Sequence, residues 1–142
     1  MSGYMIRSGH WDQLQPDAKN IREQVFIREQ NISAEEEWDN QDPIALHFVV
    51  YAQEQPIATA RLLENNSIGR VAVLEHYRGK GIGKRLMLEI IEQAKNEDRD
   101  SLKLSAQTHA IPFYAGLGFQ VEGETYLDCG IPHVTMSMKL ED

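Results

Sequence analysis

Cysteine is nearly absent. Cys129 is the one thiol in 142 residues, so no internal disulfide can staple the chain, and a reducing cytoplasm is its expected home. No apolar run approaches the length of a membrane span or a secretory leader, so no membrane partner is expected. Basic charge is scarce too. Fourteen Lys and Arg stand against 22 Asp and Glu, a net charge of -8, which argues against a duplex nucleic-acid partner, since that would need a basic face to replace counterions. The acidic balance suits attraction of cationic amines, or plain solubility. The five histidines are scattered and lack ligand spacing, so no metal is expected. There is no repeat, low-complexity tract or linker, and the length is right for one domain over 1–142 with its own core.

Against this acidic background, one basic segment stands out. The run Arg70-Val-Ala-Val-Leu-Glu-His-Tyr-Arg-Gly-Lys-Gly-Ile-Gly-Lys-Arg85 leads from alternating apolar residues through a glycine-dense turn into an amphipathic helix. Gly79, Gly81 and Gly83 lack a Cβ, so the backbone can take positive φ and turn successive N–H groups toward one point. The helix that follows adds unpaired N–H groups and the positive end of its dipole, and Arg78, Lys80, Lys84 and Arg85 add full charges. The pattern describes a phosphate cradle.

Spacing separates the phosphate loops that compete for it. A P-loop requires Gly-Lys-Ser/Thr four residues after its first glycine, whereas Gly83-Lys84 is followed by Arg85, with no hydroxyl for magnesium. The dinucleotide fingerprint needs Gly-x-Gly-x-x-Gly, and here the glycines run Gly-x-Gly-x-Gly, in mid-chain after several strands. What remains, Arg78-Gly-Lys-Gly-Ile-Gly83, resembles the Arg/Gln-x-x-Gly-x-Gly/Ala signature of the GCN5-related N-acetyltransferases. There it binds the pyrophosphate of coenzyme A.

The rest of the chain supplies elements in a compatible order. Tyr4 to Ser8 reads as a strand. Pro16-Asp17 marks a helix start, and Ile21, Val25 and Phe26 carry that helix to about Gln30. Asn31 to Asp39 reads as a short acidic helix capped by Ser33. Leu46 to Ala52, Ile57 to Leu63 and Ile68 to Val73 form an antiparallel meander. From Ile82, the residues Leu86, Met87, Ile90, Ile91 and Ala94 fall on one helical stripe. Leu102 to Ala106 is a strand, Ala110 to Gly116 a short helix and Phe119 to Glu122 a strand. Val134, Met136, Met138 and Leu140 alternate in a final half-buried strand, through which a homodimer is an open option. This order is similar to the acetyltransferase fold throughout. It implies an α+β protein with a mixed, mostly antiparallel central sheet of six to seven strands, flanked by about four helices and splayed at Ile68 to Val73. Within the superfamily, Phe26-Ile-Arg-Glu-Gln-Asn31, Glu37-Trp-Asp39, His47, Gln107-x-x-Ala-x-x-Phe-Tyr114 and Cys129-Gly-Ile-Pro-His133 resemble the small bacterial ElaA/YjcF-type group.

The resemblance implies acetyl-CoA as co-substrate and direct transfer of an acetyl group to an amine. Val71, Ala72 and Val73 would then pair with pantetheine through their backbone, with the Val73 N–H as oxyanion donor. The diphosphate would sit on Arg78, Gly79, Lys80, Gly81, Ile82, Gly83 and Lys84. Gln107 would meet the pantetheine arm from a position that is often asparagine, and Glu75 stands where many relatives carry proline. Tyr114 is the candidate acid for the departing thiolate, a role suited to a phenol with a free pKa of about 10. For the base the candidates are Glu36, Glu37, Asp39, His47, Glu64 and His133. Glu36 and Asp39 are preferred because three-residue spacing on a helix makes an anionic wall for an ammonium group. Trp11, Trp38 and Tyr126 are candidates for lining an acceptor pocket or for the core. Cys129 beside His133 also fits a nucleophile and its base, but a turn residue is the simpler reading. A coenzyme A-binding sensor without turnover would keep the same cradle, and transfer of another acyl group such as succinyl would share every motif.

Overall fold

A computed structural model describes residues 3–140. Seven strands form one sheet: β1 (Tyr4–Gly9), β2 (Leu46–Ala52), β3 (Gln55–Leu62), β4 (Ser67–Val73), β5 (Ser101–Gln107), β6 (Gln120–Asp128) and β7 (Ile131–Lys139). The helices are α1 (Trp11–Arg22), α2 (Ala34–Glu37), α3 (Ile82–Asn96) and α4 (Ile111–Gly116). The sheet order is β1-β2-β3-β4-β5-β7-β6. Every neighbouring pair is antiparallel except β4 and β5. This is the mixed, mostly antiparallel sheet that the order of elements implies.

Alternation along β2 divides the core between the two faces of the sheet. Phe48 and Val50 join Leu86, Met87 and Ile90 of α3 on one face, and Val49 and Tyr51 join Leu14, Ala18, Ile21 and Val25 on the α1 side. The predicted stripe of α3 is fully confirmed, with Leu86, Met87, Ile90 and Ala94 each at 0% exposure. At about 1.5–3 kcal/mol for each large apolar side chain buried, these contacts hold the helix in place.

The important irregularity is in β4. Thr59 and Arg61 on β3 oppose Ala72 and Gly69, so β4 carries one extra residue. That residue is Arg70, in the left-handed region at φ 53. A bulge of this kind bends its strand, and β4 meets β5 only at Ser67↔Lys103 and Ile68↔Leu104. Beyond Ile68 the two parallel strands part, which is the predicted splay.

Three details differ from the sequence reading. The first helix begins at Trp11, not at Pro16, which lies inside it; Gln13 caps the start by accepting the His10 N–H at 3.2 Å, and the helix tolerates the one hydrogen bond that proline cannot make. β6 runs to Asp128, well past Glu122, with a register break between Glu122 and Tyr126 around Gly123. All of its residues are exposed, so it has no inside-outside alternation to read. Finally, β7 is paired on both sides, with β5 and β6. It is therefore an internal strand and offers no free edge for a homodimer.

Candidate active site

The parting of β4 from β5 opens a cleft of about 1280 Å³, more than a single small ligand needs. The glycine turn closes one end. Gly79 and Gly81 take φ of 77 and 80, which a side chain would strain. Gly81 caps α3, and the first intrahelical bond to it comes from Arg85. The N–H groups of Ile82, Gly83 and Lys84 are thus left for a ligand, as the anion-cradle argument requires.

Along the side of the cleft, β4 presents backbone. The Leu74 N–H donates to the Ile57 carbonyl at 2.9 Å. Successive residues of a strand point their N–H and C=O groups to opposite edges, so Val73 turns its own toward the gap, and Val71 follows by alternation. Arg78 uses that direction already, donating from Nε to the Val73 carbonyl at 2.9 Å. The remaining guanidinium nitrogens each bind Glu29 at 2.7 Å. Glu29 ends a segment, Glu23–Glu29, in which the α1 coil widens, with Gln30 N–H reaching back to the Val25 carbonyl. Gln30 in turn accepts from Gln107 at 3.0 Å, which ties the end of this segment to β5 across the cleft.

Tyr114 faces the same space from α4. It stands edge-on to Phe113 and Phe119, at 5.0 and 6.1 Å between ring centroids. Burial pushes its phenol up to about 12, so it keeps its proton until a strong base draws it off.

The acidic segment divides. Glu36, Val71, Ala72, Val73, Arg78, Gly79, Gly81, Ile82, Gly83, Lys84, Gln107 and Tyr114 all line the cleft, whereas Asp39 and Lys80 do not. Asp39 is bound in a network that fastens α2 to the sheet. Arg61 holds it at 2.8 and 2.7 Å, and Arg70 reaches it at 3.3 Å. The Arg61 hydrogen bonds, aided by Arg70, hold its carboxyl well below the usual range, at about 2. A carboxylate so committed is a poor proton acceptor, which corrects the expectation that Asp39 serves as base. Deeper in, Arg22 binds Glu37 at 2.7 Å and Asp42 at 2.8 Å, and Arg61 also binds Asp42 at 2.8 Å. Arg70 Nε lies 3.1 Å from Glu37, off the hydrogen-bond direction. Burial pushes Glu37 up, against the pull of Arg70 and Arg22. Trp11 and Trp38 flank the Arg22 guanidinium at 5.5 and 5.0 Å, so both are structural and neither lines the cleft. His47 is buried beside Asp42, hydrogen-bonding its carbonyl at 2.9 Å. Burial pushes its pKa down, and it belongs to the scaffold.

Sequence reasoning missed Glu29 as a partner of the cradle, and the buried Arg22 and Arg61 with the half-buried Arg70 as one set. Arg61 carried a signal, since it is the one charged residue in β3. The β6–β7 turn and the start of β7 also border the cleft, through Asp128, Cys129 and His133. The Cys129 thiol donates to Glu36 Oε2 at 3.1 Å.

Residues 14–140 match the family model described as acetyltransferase (GNAT) domain. YjcF of Bacillus subtilis, described as an uncharacterized N-acetyltransferase, is 39% identical over 124 residues, 84% of this chain and 89% of that protein. ElaA of Escherichia coli is 31% identical over 84% of each chain, and its crystal structure superposes with a TM-score of 0.86, covering 94% of this chain and 99% of that one. An acyl-CoA N-acyltransferase from Pseudomonas aeruginosa has the same TM-score of 0.86 at 29% identity, covering 95% and 99%.

Proposed function

The chain belongs to the GNAT acetyltransferase family, and from that premise we propose that it is an acetyl-CoA-dependent N-acetyltransferase that acetylates a primary amine of a small molecule or peptide. Membership carries the coarser statement, an acyltransferase with a coenzyme A donor and a second substrate as acceptor. The finer reading rests on one observation: the splayed β4 turns the Val73 N–H into a gap that continues into a glycine cradle with unpaired helix N–H groups.

Each element has a part to play. The α3 N-terminus, with Gly79 and Gly81, takes the diphosphate. The Val71–Val73 backbone takes the pantetheine arm as an added strand, with Gln107 beside it. The Val73 N–H stabilises the oxyanion of the tetrahedral intermediate, where a preorganised donor counts most. Tyr114 protonates the departing thiolate. Glu36 lends negative charge to the acceptor side, which suits an ammonium group, and transfer is direct, within a ternary complex.

Thiol release from acetyl-CoA, measured over a panel of polyamines, aminoglycosides, amino acids, amino sugars and lysine peptides, tests the reading, with calorimetric acetyl-CoA binding alongside. Turnover on one class is the expected result and names the acceptor. Binding with a silent panel would favour a coenzyme A sensor, and succinyl-CoA in the same assay checks the acyl group. Failure to bind acetyl-CoA would overturn the proposal.

A further inference from the structure

The acidic segment leaves the base unassigned, and β7 offers one. His133 is paired with Gln107 on β5 and with Tyr126 on β6. Directly opposed residues send their side chains to the same face of a sheet. Gln107 reaches Gln30 on the α1 face, so the imidazole lies on that face too, where it lines the cleft with Tyr114 and Val73.

Its ring is fixed and its tautomer set. Nδ1 lies 2.7 Å from the Ile131 carbonyl. A carbonyl only accepts, so Nδ1 carries the hydrogen and the neutral ring bears its lone pair on Nε2. Nε2 has no hydrogen-bond partner among the described residues, yet it is not sealed from solvent-accessible space. Tyr126 stacks against the ring at 6.2 Å and 23°, and its hydroxyl is anchored by a hydrogen bond with Ser105. Although His133 is only 8% exposed, the nitrogen without a partner is the accessible one. The carboxylates are more committed. Glu37 is 2% exposed among arginines, Asp39 is bound by two of them, and Glu36 accepts from Cys129 and Ser33.

We infer that His133 is the general base of the transfer, an assignment that rests on the acetyltransferase reading above. His133 Nε2 takes one proton from the ammonium acceptor. The freed nitrogen lone pair attacks the thioester carbonyl carbon, and the C=O electron pair moves onto oxygen. Collapse restores the carbonyl and breaks the C–S bond. The second nitrogen proton is lost as the thiolate gains one through Tyr114, which ends protonated as it began. His133 then returns its proton to solvent, so that ammonium and thioester give amide, thiol and one proton.

The test compares wild type, His133→Ala and His133→Asn on each panel amine that wild type acetylates. The asparagine amide keeps a donor for the Ile131 carbonyl and separates loss of the base from loss of the fold. Both variants are expected to bind acetyl-CoA as wild type does and to lose about 10²- to 10³-fold in kcat/KM. Added imidazole should restore part of the turnover of His133→Ala, an effect that a purely structural histidine would not show. In the free enzyme, ¹⁵N NMR should find the His133 proton on Nδ1. Full activity in His133→Ala, or a proton on Nε2, overturns the assignment while leaving the acetyltransferase reading intact. A wild type that does not bind acetyl-CoA sinks both.

Discussion

Arg78 holds Glu29 in a two-pronged ion pair, with both guanidinium nitrogens 2.7 Å from the carboxylate oxygens. The side chain expected to greet a diphosphate is therefore already matched with an internal anion, and that pairing holds Glu29 below the usual carboxylate range. The pair is about 40% exposed on each side, so breaking it costs about 0–1 kcal/mol. Arg78 would stay oriented without it, because Nε is fixed on the Val73 carbonyl. Glu29→Gln should therefore tighten acetyl-CoA binding, by up to about fivefold, whereas Arg78→Gln should weaken it. Calorimetry on both variants decides the matter, and weaker binding by Glu29→Gln would mean that the carboxylate positions Arg78 for the ligand.

Tyr114→Phe keeps the ring and its edge contacts with Phe113 and Phe119 and removes only the hydroxyl. If that hydroxyl protonates the thiolate, turnover should fall about 10²-fold or more with acetyl-CoA affinity unchanged. Steady-state kinetics on the acceptor found by the panel, beside calorimetry, separates the two quantities. Unchanged kcat would leave Tyr114 as a wall of the cleft.

The contrast between the two halves of the site explains what the sequence could and could not reveal. The cradle is local in sequence: glycines, cations and a helix start within a few residues have one geometric solution, and Gly79 and Gly81 take it. The buried arginines are not local. Nothing in the sequence around Arg22 marks it as buried, and only the return of the chain at Glu37 and Asp42 shows why it is 1% exposed. Asp39 and Glu36 look alike in sequence, and their fates separate because Arg61 and Arg70 converge on one of them from two neighbouring strands. The bulge at Arg70 was hidden for the same reason, since one extra residue becomes visible only against the register of β3.

Removing Arg22 should be severely destabilising. Its guanidinium neutralises Glu37 and Asp42, which are 2% and 3% exposed, and fills the space between Trp11 and Trp38. Arg22→Ala would leave buried carboxylates short of a partner, and the expected loss is about 3–5 kcal/mol, measured by urea denaturation. Arg28→Ala is the control, because the Arg28–Glu23 pair is mostly exposed and should matter little.

Acid stability follows from two groups in the same region. Asp39 is held at about 2 against an ordinary 3.8. Because its folded value is depressed, its contribution is fully present above the ordinary value and is lost as pH falls toward 2. His47, pushed below its ordinary 6.5 by burial, acts in the same sense at higher pH: stability begins to fall once the unfolded chain binds a proton that the folded one refuses. Denaturation midpoints from pH 8 to pH 2 should thus show wild type losing its advantage over Asp39→Asn only below about pH 4. His47→Gln should flatten the curve between neutrality and pH 5. A wild-type advantage over Asp39→Asn that persisted undiminished at pH 2 would show that the Arg61–Asp39 pair is not what holds this carboxyl down.

Cys129 is exposed but should react slowly. Its thiol donates to Glu36 at 3.1 Å, and that hydrogen bond, with burial and Asp128, pushes it up to about 12. Thiolate is the reactive form, so alkylation by iodoacetamide at neutral pH should lag well behind that of a free thiol. Glu36→Gln removes the carboxylate that accepts from the thiol and should accelerate the modification, a result that exposure alone would not produce. Cys129→Ser should retain turnover if transfer is direct. Its loss, together with an acetylated Cys129 trapped from acetyl-CoA, would replace direct attack with an acyl-enzyme route. The two measurements use the same turn for different questions: the alkylation rate reports whether Glu36 and the thiol are paired in solution, and turnover reports whether the sulfur takes part in the chemistry.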